Sequence, residues 1–137
     1  MKVYLDASIL VALFIQEAGT PTARAAIAGR SLLLSEFAGS EFCAAVTRLV
    51  RLGVLSADQA AGVFADFDLW KARSVETISV ENADFASATA CVRRLDLGLR
   101  APDALHLAIC ERLGSELLTF DIKMAAAAKS IGIVTGP

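Results

Sequence analysis

Apolar positions along this chain come in two rhythms. Short runs at Val3-Tyr4-Leu5, Leu32-Leu33-Leu34, Val75 to Val80, Glu116 to Phe120 and Ile131-Gly132-Ile133-Val134 have the length of strands. Between them apolar residues recur every three to four positions, the spacing of amphipathic helices. Punctuation supports the division. Thr20-Pro21 reads as an N-cap followed by Pro at the first helical position of a helix through Ala28. Ser56-Ala57-Asp58-Gln59 reads as a capping box, and Gly53, Gly98 and Gly114 read as helix stops. The segment from Ser35 to Leu52 is either one long helix or two joined near Gly39-Ser40, with Phe42, Val46, Leu49 and Val50 on its apolar stripe. The following helix presents Ala60, Val63, Phe64, Phe67 and Trp70, and the next turns Phe85, Ala88, Val92 and Leu95 inward. The last long helix has Pro102 at N1 and buries Leu105, Ala108, Ile109 and Leu113.

Strands alternating with helices predict an α/β fold: a three-layer α/β/α sandwich on a mainly parallel, about five-stranded sheet. Hydrophobic residues make up 55% of the 137, which suits a sheet covered on both faces. That length and the lack of any linker predict a single domain over residues 1–137. Thirteen basic and fifteen acidic residues leave a formal charge of −2, so no basic tail announces a nucleic-acid partner. Cys43, Cys91 and Cys110 are widely spaced, without the pattern of a disulfide framework or a zinc site, which points to a reducing compartment. The run Ile9 to Ile15 follows Asp6 and is closed by Gln16-Glu17, a poor signal peptide. No run approaches the about 18 apolar residues of a membrane span. A soluble, cytoplasmic chain is expected.

Charge matters most by position. In a parallel sheet the carboxyl ends of all strands share one edge, where such folds build their sites. Asp6 follows the first strand and Asp121 the fourth, Asp103 opens the helix leading into that fourth strand, and Glu41 rides early on the helix after the second. Four carboxylates at one edge resist ionisation together unless a cation intervenes, and hard ions such as Mg²⁺ or Mn²⁺ prefer carboxylate oxygen. Each acid alone has a plainer explanation in helix-start chemistry or an exposed face. Spacing alone therefore leaves divalent-metal phosphate chemistry as one option among others.

The segments YLDAS at 4–8, SEFAGSEFCAAVTR at 35–48, PDALHLA at 102–108 and LLTFD at 117–121 together resemble the PIN domain, and within it the VapC toxins of bacterial toxin–antitoxin pairs. The likeness runs almost end to end. It implies a Mg²⁺- or Mn²⁺-dependent endoribonuclease that hydrolyses RNA with metal-activated water, leaving 5′-phosphate and 3′-hydroxyl ends. It places the four acids of the family on Asp6, Glu41 (with Glu36 as a rival), Asp103 and Asp121 as catalytic residues and metal ligands. Ser8 and Thr119 support them from behind. His106, one turn from Asp103, is implied to be a packed supporting residue.

The resemblance also implies a small VapB-like antitoxin, a homodimer, and a heteromeric complex of the two. Phe64, Phe67, Leu69 and Trp70 are the candidate apolar surface for the antitoxin. Arg48, Arg51, Arg93, Arg94 and Arg100 are candidates to line the approach of RNA. Two other classes compete. A phosphohydrolase with Asp6 as nucleophile would want a second Asp where Ser8 stands, and a non-catalytic PIN-like binding module would have no need of four intact acids. No Gly-rich phosphate loop follows a strand, which argues against a nucleotide cofactor.

Overall fold

The first strand has room for a side chain on each of its two faces, and it fills both. In the computed structural model, which describes residues 2–137, Tyr4 of β1 (Lys2–Leu5) belongs to one buried cluster while Val3 and Leu5 belong to another. This is the period-two alternation of a strand covered on both sides. Leu33 and the pair Leu32 and Leu34 divide in the same way on β2 (Ser31–Ser35).

One layer is built from α1 (Ala7–Phe14), α2 (Thr20–Ile27), α3 (Glu36–Arg51) and α4 (Ala57–Ser74). After β3 (Val75–Ile78), the other is built from α5 (Asn82–Arg93), α6 (Ala101–Leu113) and, beyond β4 (Glu116–Leu118), α7 (Ile122–Ser130). The chain closes with β5 (Thr135–Gly136). All pairings are parallel, in the order β3-β2-β1-β4-β5. The expected three-layer sandwich is thus the architecture. The strand order reverses between β1 and β4, the switch point outside which open α/β sheets hold their ligands. Asp6 and Asp121 stand just past the ends of those two strands.

Several local expectations fail for identifiable reasons. Thr20 does not cap α2: Gly19 holds the N-cap position, and the Thr20 hydroxyl donates to the Ala12 carbonyl (2.7 Å) and accepts from the Glu17 N–H, tying α2 to α1. Of the two readings of the Ser35–Leu52 segment the single helix holds, since α3 runs unbroken through Gly39. In α6 the N-cap is Arg100, so Pro102 stands at N2, and everything from Ala104 to Cys110 is buried rather than a stripe. The last strand starts later than the apolar run suggests, since Ile131 and Gly132 (φ 89°) are spent on the turn that ends α7.

The largest correction concerns α5. Its buried residues are Asp84 and Ala88, whereas Phe85 and Val92 are exposed and Leu95, past the helix end, is 92% exposed. The Arg112 guanidinium of α6 grips Asp84 (2.7 and 2.9 Å) and sets the rotation of the helix. Phe85 and Val92 then line an apolar groove of about 450 Å³ with Phe37, Pro102 and Leu105. On α4, Phe67 is buried and Phe64 and Trp70 pack partly into the core, leaving only Leu69 of that proposed surface more than half exposed. No helix among the described residues is long and apolar enough to cross a membrane.

Candidate active site

Asp6 ends the first strand and caps the first helix, and both roles come from its short side chain. Its backbone N–H continues the ladder to the Leu118 carbonyl (3.2 Å), while Oδ1 accepts from the backbone N–H groups of Ser8 (3.0 Å) and Ile9 (3.3 Å). Two hydroxyls complete its surroundings. Ser8 Oγ donates to Oδ1 (2.6 Å), and Thr119 Oγ1 donates to Oδ2 (2.7 Å). Each hydroxyl also accepts a backbone N–H from the segment after β4, Ser8 from Phe120 and Thr119 from Asp121 (both 2.9 Å). Ser8 and Thr119 therefore hold the loops after β1 and β4 in one register and bring Asp121 to the Asp6 side of the sheet.

Among the described residues, Asp6 is in no ion pair. It is 4% exposed, and burial pushes its carboxyl above the usual carboxylate range despite the donors from Ser8 and Thr119. Asp121 caps α7, with Oδ1 accepting from the Met124 N–H (2.9 Å). Asp103 occupies the first turn of α6, where the helix dipole favours an anion, and its Oδ2 meets the Arg100 guanidinium at 3.4 Å.

Glu41 and Glu36 separate clearly. Glu36 is turned toward Lys71 of α4 (2.5 Å) with its side chain 68% exposed. Glu41 Oε1 lies 2.5 Å from His106 Nε2 across the gap between α3 and α6. His106 is 2% exposed, and its other nitrogen, Nδ1, lies 2.8 Å from the Tyr4 hydroxyl, which in turn meets Ser35 Oγ at 2.6 Å. Reading the chain as a sequence missed Tyr4 and Ser35 as members of this edge. The available signal was a phenol on a strand buried on both faces, which needs a partner for its hydroxyl.

Asp6, Glu41, Asp103 and Asp121 thus share the carboxyl edge of the sheet. They do not converge: among the described residues no three His, Cys, Asp or Glu side chains stand close enough to hold a metal ion as placed. The donor set nevertheless suits a hard divalent cation, being all oxygen. Among the described residues, Glu41 Oε2, Asp103 Oδ1 and Asp121 Oδ2 receive no hydrogen bond. Of the arginines suggested for the approach, Arg100 reaches Asp103 and Arg94 is engaged with Asp96.

The chain matches the PIN domain family over residues 3–130. It is 29% identical over 128 residues to Ribonuclease VapC3 of Pyrobaculum aerophilum, covering 91% of this chain and 93% of that protein. Its fold is similar to that of VapC20 of Mycobacterium tuberculosis, a Sarcin-Ricin loop cleaving toxin, with a TM-score of 0.72, 22% identity and 96% of each chain covered. It is also similar to VapBC2 of Rickettsia felis, solved bound to a DNA fragment from its promoter, with a TM-score of 0.71, 14% identity and 99% and 98% of the two chains covered.

Proposed function

This chain belongs to the PIN domain family, and on that footing we propose that it is a divalent-metal-dependent endoribonuclease, the toxin of a toxin–antitoxin pair, acting in the cytoplasm. The observation that carries the reading is Asp6, buried past the end of β1 at the switch point of the sheet and, among the described residues, in no ion pair, with Asp121 past the end of the neighbouring β4. The chain's likeness to a ribonuclease and to VapC and VapBC structures supports the same assignment.

Asp6 and Asp103 would hold Mg²⁺ or Mn²⁺, and Glu41 and Asp121 complete the site or orient the attacking water. The chemistry such an ion supplies is neutralisation of charge at the scissile phosphate and a lowered pKa for water. The protein's own contribution is placement. Ser8 and Thr119 hold Asp6 on both oxygens, and the α7 N-terminus holds Asp121. A cation at Asp6 also relieves the desolvation that raises its pKa.

A VapB-like antitoxin is the partner that silences this edge. The apolar groove between α5 and α6, with Phe85 and Val92 exposed beside it, supports a homodimer that covers this face. Sedimentation that finds only monomer at high concentration refutes the dimer. For the activity, the purified chain is incubated with total RNA, with and without Mg²⁺, and the new ends are mapped. Discrete cuts with 5′-phosphate and 3′-hydroxyl ends that vanish with EDTA are expected; cleavage that survives the chelator overturns the metal mechanism.

A further inference from the structure

Behind Glu41 runs a line of four polar side chains from four elements: Ser35 at the end of β2, Tyr4 on β1, His106 on α6 and Glu41 on α3. The contacts are 2.6, 2.8 and 2.5 Å in that order. The first three residues are sealed: Ser35 and Tyr4 are 0% exposed and His106 is 2% exposed. The catalytic reading above uses only the last member.

Hydrogen-bond accounting gives this line a direction. Ser35 Oγ already accepts the Ala38 N–H at the start of α3 (3.0 Å). If His106 carried a hydrogen on Nδ1, that hydrogen would point at the Tyr4 oxygen, Tyr4 would donate to Ser35, and the Ser35 hydrogen would have no acceptor among the described residues. A buried hydroxyl without a partner is disfavoured. In the opposite direction every group is satisfied. Ser35 donates to Tyr4, Tyr4 donates to Nδ1, and Nε2 is left to donate to the Glu41 carboxylate. Burial pushes the Tyr4 phenol well above its usual range, so it keeps the hydrogen that this direction needs.

We infer that Ser35 and Tyr4 are positioning residues that lock the single histidine into its Nε2–H tautomer, so that His106 presents a fixed donor to Glu41 and aims that carboxylate along the catalytic edge. The inference rests on the assignment of Glu41 to the site, and it specifies how a glutamate on a long side chain is held there. Tilted aromatic contacts reinforce the arrangement, with the Tyr4 and Phe37 ring centroids 5.6 and 5.1 Å from that of the imidazole. A carboxylate held by one oriented donor loses fewer rotamers on reaching its working position than one free in solvent.

Because the chain has one histidine, its tautomer is directly readable. Long-range ¹H–¹⁵N spectra of the ¹⁵N-labelled protein at neutral pH, without metal or RNA, are expected to show one imidazole with hydrogen on Nε2 and none on Nδ1. An Nδ1–H ring, a doubly protonated ring or an even mixture overturns the inference. Tyr4→Phe should abolish the single tautomer and lower kcat for RNA cleavage about 10- to 100-fold, the range seen when support behind a ligand is removed, with KM unchanged. A Tyr4→Phe protein that keeps both the tautomer and the rate overturns the positioning role.

Should Tyr4→Phe fail to fold, a second pair carries the test. His106→Gln retains an acceptor toward Tyr4 and a donor toward Glu41, whereas His106→Phe retains neither. Cleavage is expected to survive better in the first, and equal loss in both overturns the role. If the wild-type chain cleaves no RNA, the spectrum still decides the tautomer, so failure of the function and failure of the relay are told apart.

Discussion

Asp6 and Asp84 are the same residue, buried almost equally at 4% and 1% exposure, and the fold treats them in opposite ways. Asp84 has a cation of its own. Arg112 donates from Nε and Nη2 at 2.7 and 2.9 Å, and this holds the Asp84 carboxyl below the usual carboxylate range. Asp6 has only hydroxyl and backbone donors, and burial drives it above that range. A buried carboxylate with a built-in partner is a structural rivet, here fastening α5 to α6. One without a partner is, on the function proposed above, a site open to a cation from outside the chain.

Removing the charge at Asp6 separates the two roles most sharply. Asp6→Asn keeps the shape and the acceptor for the α1 cap, while Thr119 and Ser8 remain as partners. RNA cleavage is expected to fall by about three orders of magnitude, the several kcal/mol that a metal clamp contributes at a scissile phosphate. Stability to urea should rise by about 1 kcal/mol, the usual gain when a functional residue stops opposing the fold. A variant that is both inactive and clearly less stable would place Asp6 with Asp84 among the rivets and erase the distinction.

How much of this was legible beforehand follows from the range of each interaction. The central strands β1 and β2 carry unbroken apolar runs, and the Ser56–Gln59 capping box and the Gly114 stop (φ 60°) are local chemistry, so the sandwich could be read from neighbours along the chain. The four acids were legible as strand-end and helix-start residues for the same reason. Ser8 and Thr119 were legible too, through the resemblance, but Tyr4 and Ser35 behind His106 were not. Tyr4 meets His106 across 102 positions, and nothing near Tyr4 announces a partner so distant. Helix α5 was misread because its apolar stripe looks inward by pattern alone. Asp84, gripped by Arg112 from 28 positions away, turns the other face to the core. Tertiary electrostatics outvoted hydrophobic periodicity there, and only the fold brings the two residues together.

The smaller effect is expected at the rivet, and acid decides whether the contrast is electrostatic. Asp84→Asn leaves Arg112 facing a neutral amide, and breaking such a pair costs about 3 kcal/mol at pH 7, measured by urea unfolding with cleavage still detectable. The sign with pH follows from each shift. Asp84 is lowered in the folded state, so its contribution is full above the unfolded value of 3.8 and is lost as pH falls through the folded one. Asp6 is raised, so its protonated form is the favoured one. The stability it lends is full below the unfolded value and is lost as pH rises through the folded one. On acidification to about pH 3.5, the stability gap between wild type and Asp84→Asn should therefore begin to close from one side, as the gap between wild type and Asp6→Asn closes from the other. Variant-minus-wild-type stabilities that both rise or both fall on acidification, instead of rising for Asp84→Asn and falling for Asp6→Asn, would show that packing, not charge, separates these two aspartates.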